Sequence, residues 1–210
     1  IMVNMKKSRI YSSTAFIIGN GKSRDGFDLE QLRPHGHIYG CNALYRDFAP
    51  DYIIAIDDPI AREIEESIHN EDFPDQTKFI HPAMEEQFED PQFNPFSRNR
   101  SNAGMNAMIE AIRHGKNLLI CMGLDFILND SLTIANMYDG TNAYGPETRT
   151  NFGDSIKRVR YFEWFARKHP HVEFRIVLPQ KKGLKIQRLE SKNIKGMYYS
   201  QLLPYLNKNV

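Results

Sequence analysis

Short apolar, β-branched runs alternate along this chain with amphipathic helical patterns, and no other feature constrains the fold as strongly: the alternation is the mark of βαβ units feeding a mainly parallel sheet. Thr14–Ile18, His37–Cys41, Tyr52–Ile56, Leu118–Met122 and Val172–Val177 read as strands, with Lys78–Ile80 a weaker one. Ile60–His69 reads as a helix carrying Ile60, Ile64 and Ile68 on one face, and Asp58 before Pro59 as its N-cap. Asn102–His114 places Met105, Met108, Ile109 and Ile112 at core spacing and ends at Gly115, as a C′ glycine ends a helix. Ser155–Lys168 is a third amphipathic helix. Two segments have neither period. Met84–Arg100, with its Phe, Pro and Asn residues, reads as an excursion at the sheet edge, and the polar stretch Asn129–Phe152 as a mobile lid spanning about residues 129–153.

With 210 residues, 41% of them hydrophobic and 25% charged, the chain can bury a sizeable core, and disorder is excluded. Lys+Arg 27 against Asp+Glu 26 leaves a formal charge of +1, so there is no strong nucleic-acid signal and no global field for a polyanion. Charge is nonetheless uneven: Asp57–Asp90 is acidic and Lys157–Lys195 basic, which reads first as two solvated faces. The longest apolar runs fall far short of the ~20 residues of a membrane helix, and no secretory h-region follows the basic start, so no membrane span and a cytoplasmic location are expected. Cys41 and Cys121 have no zinc or redox spacing and read as buried thiols. His35, His37, His81, His169 and His171 read as surface or capping residues, and no metal triad has the right spacing.

The motif that tempts is Gly21-Lys22-Ser23, the tail of a P-loop. The glycine that a P-loop needs earlier is Phe16, inside the first strand, and the third glycine of a dinucleotide fingerprint is Arg24. What remains is a strand running into a tight Gly19-Asn20-Gly21 turn, whose missing β-carbons let backbone N–H groups approach a phosphate or ribose. Asn42, Asp57-Asp58 and Asp125 follow other strands, so a parallel sheet gathers them along the same edge as Gly19. The acidic pair Asp57-Asp58 is also suited to Mg²⁺ held together with substrate phosphates.

The string Ala15-Phe16-Ile17-Ile18-Gly19-Asn20-Gly21-Lys22-Ser23 resembles the Gly-Asn-Gly-Pro-Ser opening of bacterial lipooligosaccharide sialyltransferases and of the related 6-hydroxymethylpterin pyrophosphokinase-like proteins. Tyr39-Gly40-Cys41-Asn42 resembles the family's Arg-Cys-Asn segment, Asn102-Ala103-Gly104 its Thr-Ser-Gly helix start, and Gly115–Phe126 the strand that ends in Gly-Asp-Phe. The resemblance covers about residues 14–127 in family order. It implies a nucleotide pocket in which Asn20 and Gly21 approach the phosphate or ribose, Asn42 hydrogen-bonds the nucleotide, and Asn102, Ala103 and Gly104 present a helix N-terminus to phosphate. Lys22 stands where the family has proline and Ala103 where it has a hydroxyl. The family's catalytic histidine has no counterpart in 129–155; in the mechanism that the resemblance implies, Asp154 or Asp57 is the expected base.

The expected fold is α/β, a single Rossmann-like domain over residues 1–210 with a mainly parallel sheet flanked by helices. The expected function is that of a glycosyltransferase-like protein binding a nucleotide or nucleotide-sugar of the CMP-sugar type and transferring the sugar to an unknown acceptor. Gly19, Asn20, Gly21, Lys22, Ser23, Asn42, Asn102, Ala103, Gly104, Asp125 and Arg149 are the expected binding residues, and no cofactor is required. The alternatives are a Mg²⁺-dependent pyrophosphokinase using Asp57 and Asp58, and a catalytically inactive nucleotide-binding module.

Overall fold

The computed structural model describes residues 13–82, 102–129, 136–149 and 152–208. The excursion read over Met84–Arg100 lies outside these residues, as do 130–135 and 150–151 of the lid. Among the described residues seven strands form one sheet: β1 Thr14–Ile18, β2 His37–Cys41, β3 Tyr52–Ile54, β4 Lys78–Ile80, β5 Leu118–Met122, β6 Glu173–Leu178 and β7 Ile194–Tyr198. Every neighbouring pair is parallel, in the order β4-β3-β2-β1-β5-β6-β7. The described helices are α1 Asp58–His69, α2 Ala103–Arg113, α3 Phe152–Lys168 and α4 Tyr199–Lys208. This is an α/β Rossmann-like fold. Strand β7 carries little sequence signal because it is an edge strand with only Met197 buried.

Strand alternation sends successive side chains to opposite faces and so builds two cores. Ala15, Ile17, Tyr39, Cys41, Leu119 and Cys121 pack beneath α2 and α3, the latter contributing Tyr161, Phe162 and Phe165. Phe16, Ile18, Ile38, Ile53, Ile120 and Met122 face the other way, onto Ile60 and Ile64 of α1 and Leu202 and Leu206 of α4. Both cysteines are free and buried, and burial pushes the Cys41 thiol up to about 12. Helix α1 starts one residue before its expected position: Asp57, not Asp58, is its N-cap and makes no side-chain cap bond, because Pro59 is already inside the first turn and fixes its backbone.

The chain leaves β1 towards β2, β3 and β4, then crosses back to β5 on the other side. Between β1 and β5 the connections diverge, and a crevice opens at the carboxyl ends of the strands. One wall of this edge is held from behind by the β6–β7 connection: Gln187 donates its N–H to Ile127 O (2.8 Å) and its side-chain amide to Phe126 O (2.7 Å). The Glu163 carboxylate of α3 takes the N–H groups of Glu190 (2.8 Å) and Ser191 (3.1 Å). Lys181, Lys182 and Lys185 on this connection are exposed, as the solvated-face reading expects.

At the opposite, amino edge His37 is half-buried and has a close partner. Its Nδ1 lies 2.8 Å from Nζ of Lys116, a lysine only 6% exposed. Burial, then the Lys116 ammonium, holds the His37 imidazole below its ordinary value; Asp51 pulls the other way and His114 adds to the depression. A histidine depressed in the folded state takes up fewer protons than the unfolded chain once the pH falls below about 6.5, so its contribution is complete above that pH and is lost below it. Urea denaturation is expected to show stability falling from pH 7.5 to 5.5 by more in the wild type than in His37→Gln. Parallel pH profiles for the two would remove His37 from the acid sensitivity.

Candidate functional site

A cleft of about 480 Å³ sits at the β1/β5 switch point. Its floor is the turn after β1. Gly19, Asn20 and Gly21 line it, but the glycines serve a different purpose from the one read in the sequence. The Gly19 N–H is bonded to Met122 O (2.8 Å) and the Gly21 N–H to Gly123 O (2.9 Å), so neither is offered to a ligand. Both glycines are required by packing. A β-carbon on Gly19 would lie 2.5 Å from Gly123 O, and one on Gly21 would lie 2.2 Å from the Asp125 carboxyl carbon.

Asp125 also lines the cleft but is 6% exposed, and it accepts both from the Ser23 N–H (3.0 Å) and from the Ser23 hydroxyl. Ser23 is thereby committed to the scaffold, and Lys22 is exposed and outside the lining. Arg24, the residue that broke the dinucleotide fingerprint, holds the turn. It is buried and donates Nε to Gly19 O (2.7 Å) and Nη2 to Asn20 Oδ1 (3.2 Å). The Asn20 amide nitrogen completes the tie by donating to Cys41 O (2.8 Å), joining the ends of β1 and β2.

Asn42, directly after β2, lines the cleft in the left-handed region at φ 52°, which asparagine tolerates better than most residues. Its Oδ1 is buried and has no hydrogen-bond partner among the described residues; the same is true of Tyr144 Oη, which lines the cleft beside it. Burial pushes the Tyr144 phenol up to about 12. Orphaned polar atoms are uncommon in folded proteins and concentrate where a ligand completes them.

Segment 136–149, the described part of the expected lid, is packed onto this edge. Met137 N–H donates to Asn20 O (2.9 Å), Gly21 and Asn136 form an antiparallel bridge, and Tyr138 and Tyr144 are buried.

The cationic side of the cleft comes from the helices. Asn102 caps α2 by accepting from the Met105 N–H (2.9 Å), and the first helical bond runs from Asn106 N–H to Asn102 O. The N–H groups of Ala103 and Gly104 take no part in that ladder, and both residues line the cleft. Gly104 is also a packing glycine, since a β-carbon there would meet Leu124 Cδ2 at 2.6 Å.

Arg149 lines the cleft while paired with exposed Asp139 through two bonds of 2.9 Å. Arg158 of α3 also lines it, a residue that the sequence reading passed over as part of a basic face. Burial lowers the Arg158 pKa, and the carboxylates of Asp154 and Asp57 oppose that shift. Asp57 lines the cleft; Asp58 and Asp154 do not, although Asp154 sits one turn before Arg158. The i, i+4 spacing of Asp154 and Arg158 at a helix start was the available signal. Among the described residues no three His, Cys, Asp or Glu gather in a metal-binding arrangement. No described helix is long and apolar enough to cross a membrane.

No protein-family model matches the chain, and no curated protein sequence matches it. Solved structures do. The sialyltransferase CstII from Campylobacter jejuni, in complex with the substrate analogue cytidine-5'-monophosphate, matches with a TM-score of 0.52 at 13% identity, over 94% of this chain and 98% of that one. An alanine variant of the sialyltransferase CST-II in complex with CMP matches with a TM-score of 0.50 at 12% identity, over 94% and 99%. At such identities the likeness is one of fold: this chain has a sialyltransferase-like architecture over nearly its whole length.

Proposed function

We propose that the chain is a glycosyltransferase-like protein that binds a nucleotide or nucleotide-sugar of the CMP-sugar type at the β1/β5 crevice and transfers the sugar by direct displacement to an acceptor. The observation that carries this reading is the start of α2. Two N–H groups outside the helical ladder line the same cleft as Arg158 and Arg149, which makes a phosphate site of helix dipole and guanidinium together. Asn42 Oδ1 and Tyr144 Oη supply further polar contacts to the nucleotide.

In the reaction, the acceptor hydroxyl attacks the anomeric carbon and its proton passes to a carboxylate. The bond from that carbon to the phosphate oxygen breaks, and the electron pair stays on the phosphate. Stabilisation of this growing charge falls to Arg158 and the α2 N–H groups, which are already oriented and need no metal. Asp57 is better placed than Asp154 to take the proton, because it reaches the cleft lining.

The test is a thermal-shift and calorimetric series with CMP, UDP, GDP and ATP, each with EDTA or Mg²⁺. CMP at about a hundred times its Kd is expected to stabilise the protein by about 2.7 kcal/mol, equally in EDTA. Binding that requires Mg²⁺ and disappears in Asp57→Asn would transfer the site to the pyrophosphokinase reading. No stabilisation by any of the four nucleotides would sink both.

A further inference from the structure

One group of contacts beside the cleft is unused by the chemistry above. The 3₁₀ turn Asn42–Arg46 begins at cleft-lining Asn42 and ends at Arg46, which is not in the lining. The Arg46 guanidinium donates Nε to Glu63 Oε1 (2.8 Å) and Nη2 to Glu63 Oε2 (2.6 Å) on α1. It also reaches the 136–149 segment, with Nη1 to Thr141 Oγ1 (2.8 Å) and Nη2 to Asn142 O (2.9 Å). Its carbon lies 5.7 Å and 5.9 Å from the ring centroids of Tyr138 and Tyr144.

Glu63 ties the same parts together from its side. It accepts from the Tyr45 hydroxyl (2.6 Å) and from the Asn142 side-chain amide (2.5 Å). Burial alone would raise the Glu63 carboxyl, but the bonds from Arg46, Tyr45 and Asn142 hold it below its ordinary value.

What this assembly fixes is the backbone leading into Tyr144. Ala143, between the clamped residues and the tyrosine, has φ 63°, a left-handed conformation that alanine adopts only where its surroundings impose it. The clamp thus sits one residue from the strained position and two from a buried hydroxyl that has no hydrogen-bond partner among the described residues. Strain and an orphaned polar group on one short stretch mark a segment held in place for something outside itself.

We infer that Arg46, with Glu63, is a positioning residue that holds Tyr144 beside Asn42 in the cleft and acts on the bound nucleotide only through that tyrosine. The inference rests on the nucleotide reading of the cleft. Arg46 touches no ligand; it sets where the Tyr144 hydroxyl stands. Its planar fork serves three partners at once, which a lysine cannot reproduce.

The experiment is a double-mutant cycle read by calorimetry with CMP as the probe, together with amide hydrogen exchange. Tyr144→Phe and Arg46→Ala are each expected to weaken CMP binding by about tenfold, the scale of one hydrogen bond to a charged group. In the Tyr144→Phe background, Arg46→Ala should change the affinity by less than about twofold. Exchange at Met137–Tyr144 should rise in Arg46→Ala without ligand. Arg46→Lys keeps the charge opposite Glu63 and guards against loss of folding; it should show the same coupling to Tyr144 at reduced size. Additive losses across the cycle would overturn the inference, as would unchanged exchange in Arg46→Ala. Should the wild-type protein not bind CMP, the nucleotide reading falls while the exchange measurement still decides the clamp: raised exchange supports it and unchanged exchange overturns it.

Discussion

Gly123→Ala is expected to destabilise the protein by roughly 3–4 kcal/mol, combining a left-handed backbone with overpacking. Gly123 has φ 65°, and a β-carbon there would lie 2.5 Å from Gly19 O and 2.9 Å from Gly19 C, both backbone atoms of the neighbouring strand end. Backbone at that spacing moves only if β1 and β5 separate, which would break the Gly19–Met122 and Gly21–Gly123 bonds that floor the cleft. For a chain of this size the melting temperature should drop by about 10 °C. Gly115→Ala is the control. Gly115 has φ 79°, but among the described residues nothing lies within 4 Å of its missing β-carbon, so it isolates the conformational cost, about 1–2 kcal/mol. Calorimetric unfolding of both variants settles the comparison: equal losses would mean that the close approach of the two strand ends contributes nothing.

Arg158→Ala is expected to produce the largest loss of ligand affinity, by about 1.5–3 kcal/mol for a charge-assisted contact, or roughly 10- to 150-fold. Arg158 is a cleft cation close to Asp57 and Asp154, whose charges favour its protonated form. The loss should be specific to the phosphate. Titration with CMP and with cytidine separates the two cases, because the nucleoside lacks the group that the guanidinium would meet. CMP should weaken and become less salt-sensitive in the variant, while cytidine binds as it does to the wild type. An equal loss of both ligands would place Arg158 in the packing of α3 and leave the phosphate to Arg149 and the α2 N-terminus.

The apolar pattern was enough to specify the strands, because a strand buried on both faces leaves a continuous run that little else produces. Thr14–Ile18, His37–Cys41 and Leu118–Met122 have the boundaries that the pattern implies. Helix α2 was equally legible, from Asn102 at its cap to Gly115 beyond its end, where φ 79° requires a residue such as glycine. Strand β7 and α4 were not, since an edge strand buries too little to leave a pattern and Pro204 argues against a helix until packing of Leu202 and Leu206 outweighs it.

The site divides along the same line. Sequence alone placed Asn20, Asn42, Asp57 and Asp125 on one edge, because a parallel sheet sends every strand end to the same side, while the Asn102 helix start was implied by the family resemblance. It could not say which of their polar atoms are occupied. Only the tertiary structure shows that the Gly19 and Gly21 N–H groups, Ser23 and Asp125 are consumed by the β1–β5 junction, and that Arg24 grips the turn. The place of Arg158 in the cleft and the Arg46–Glu63 clamp are decided there as well. Hydrogen bonds and ion pairs between residues far apart in the chain leave no periodicity to read, and which groups remain available to a ligand is decided by the neighbours that folding brings to them.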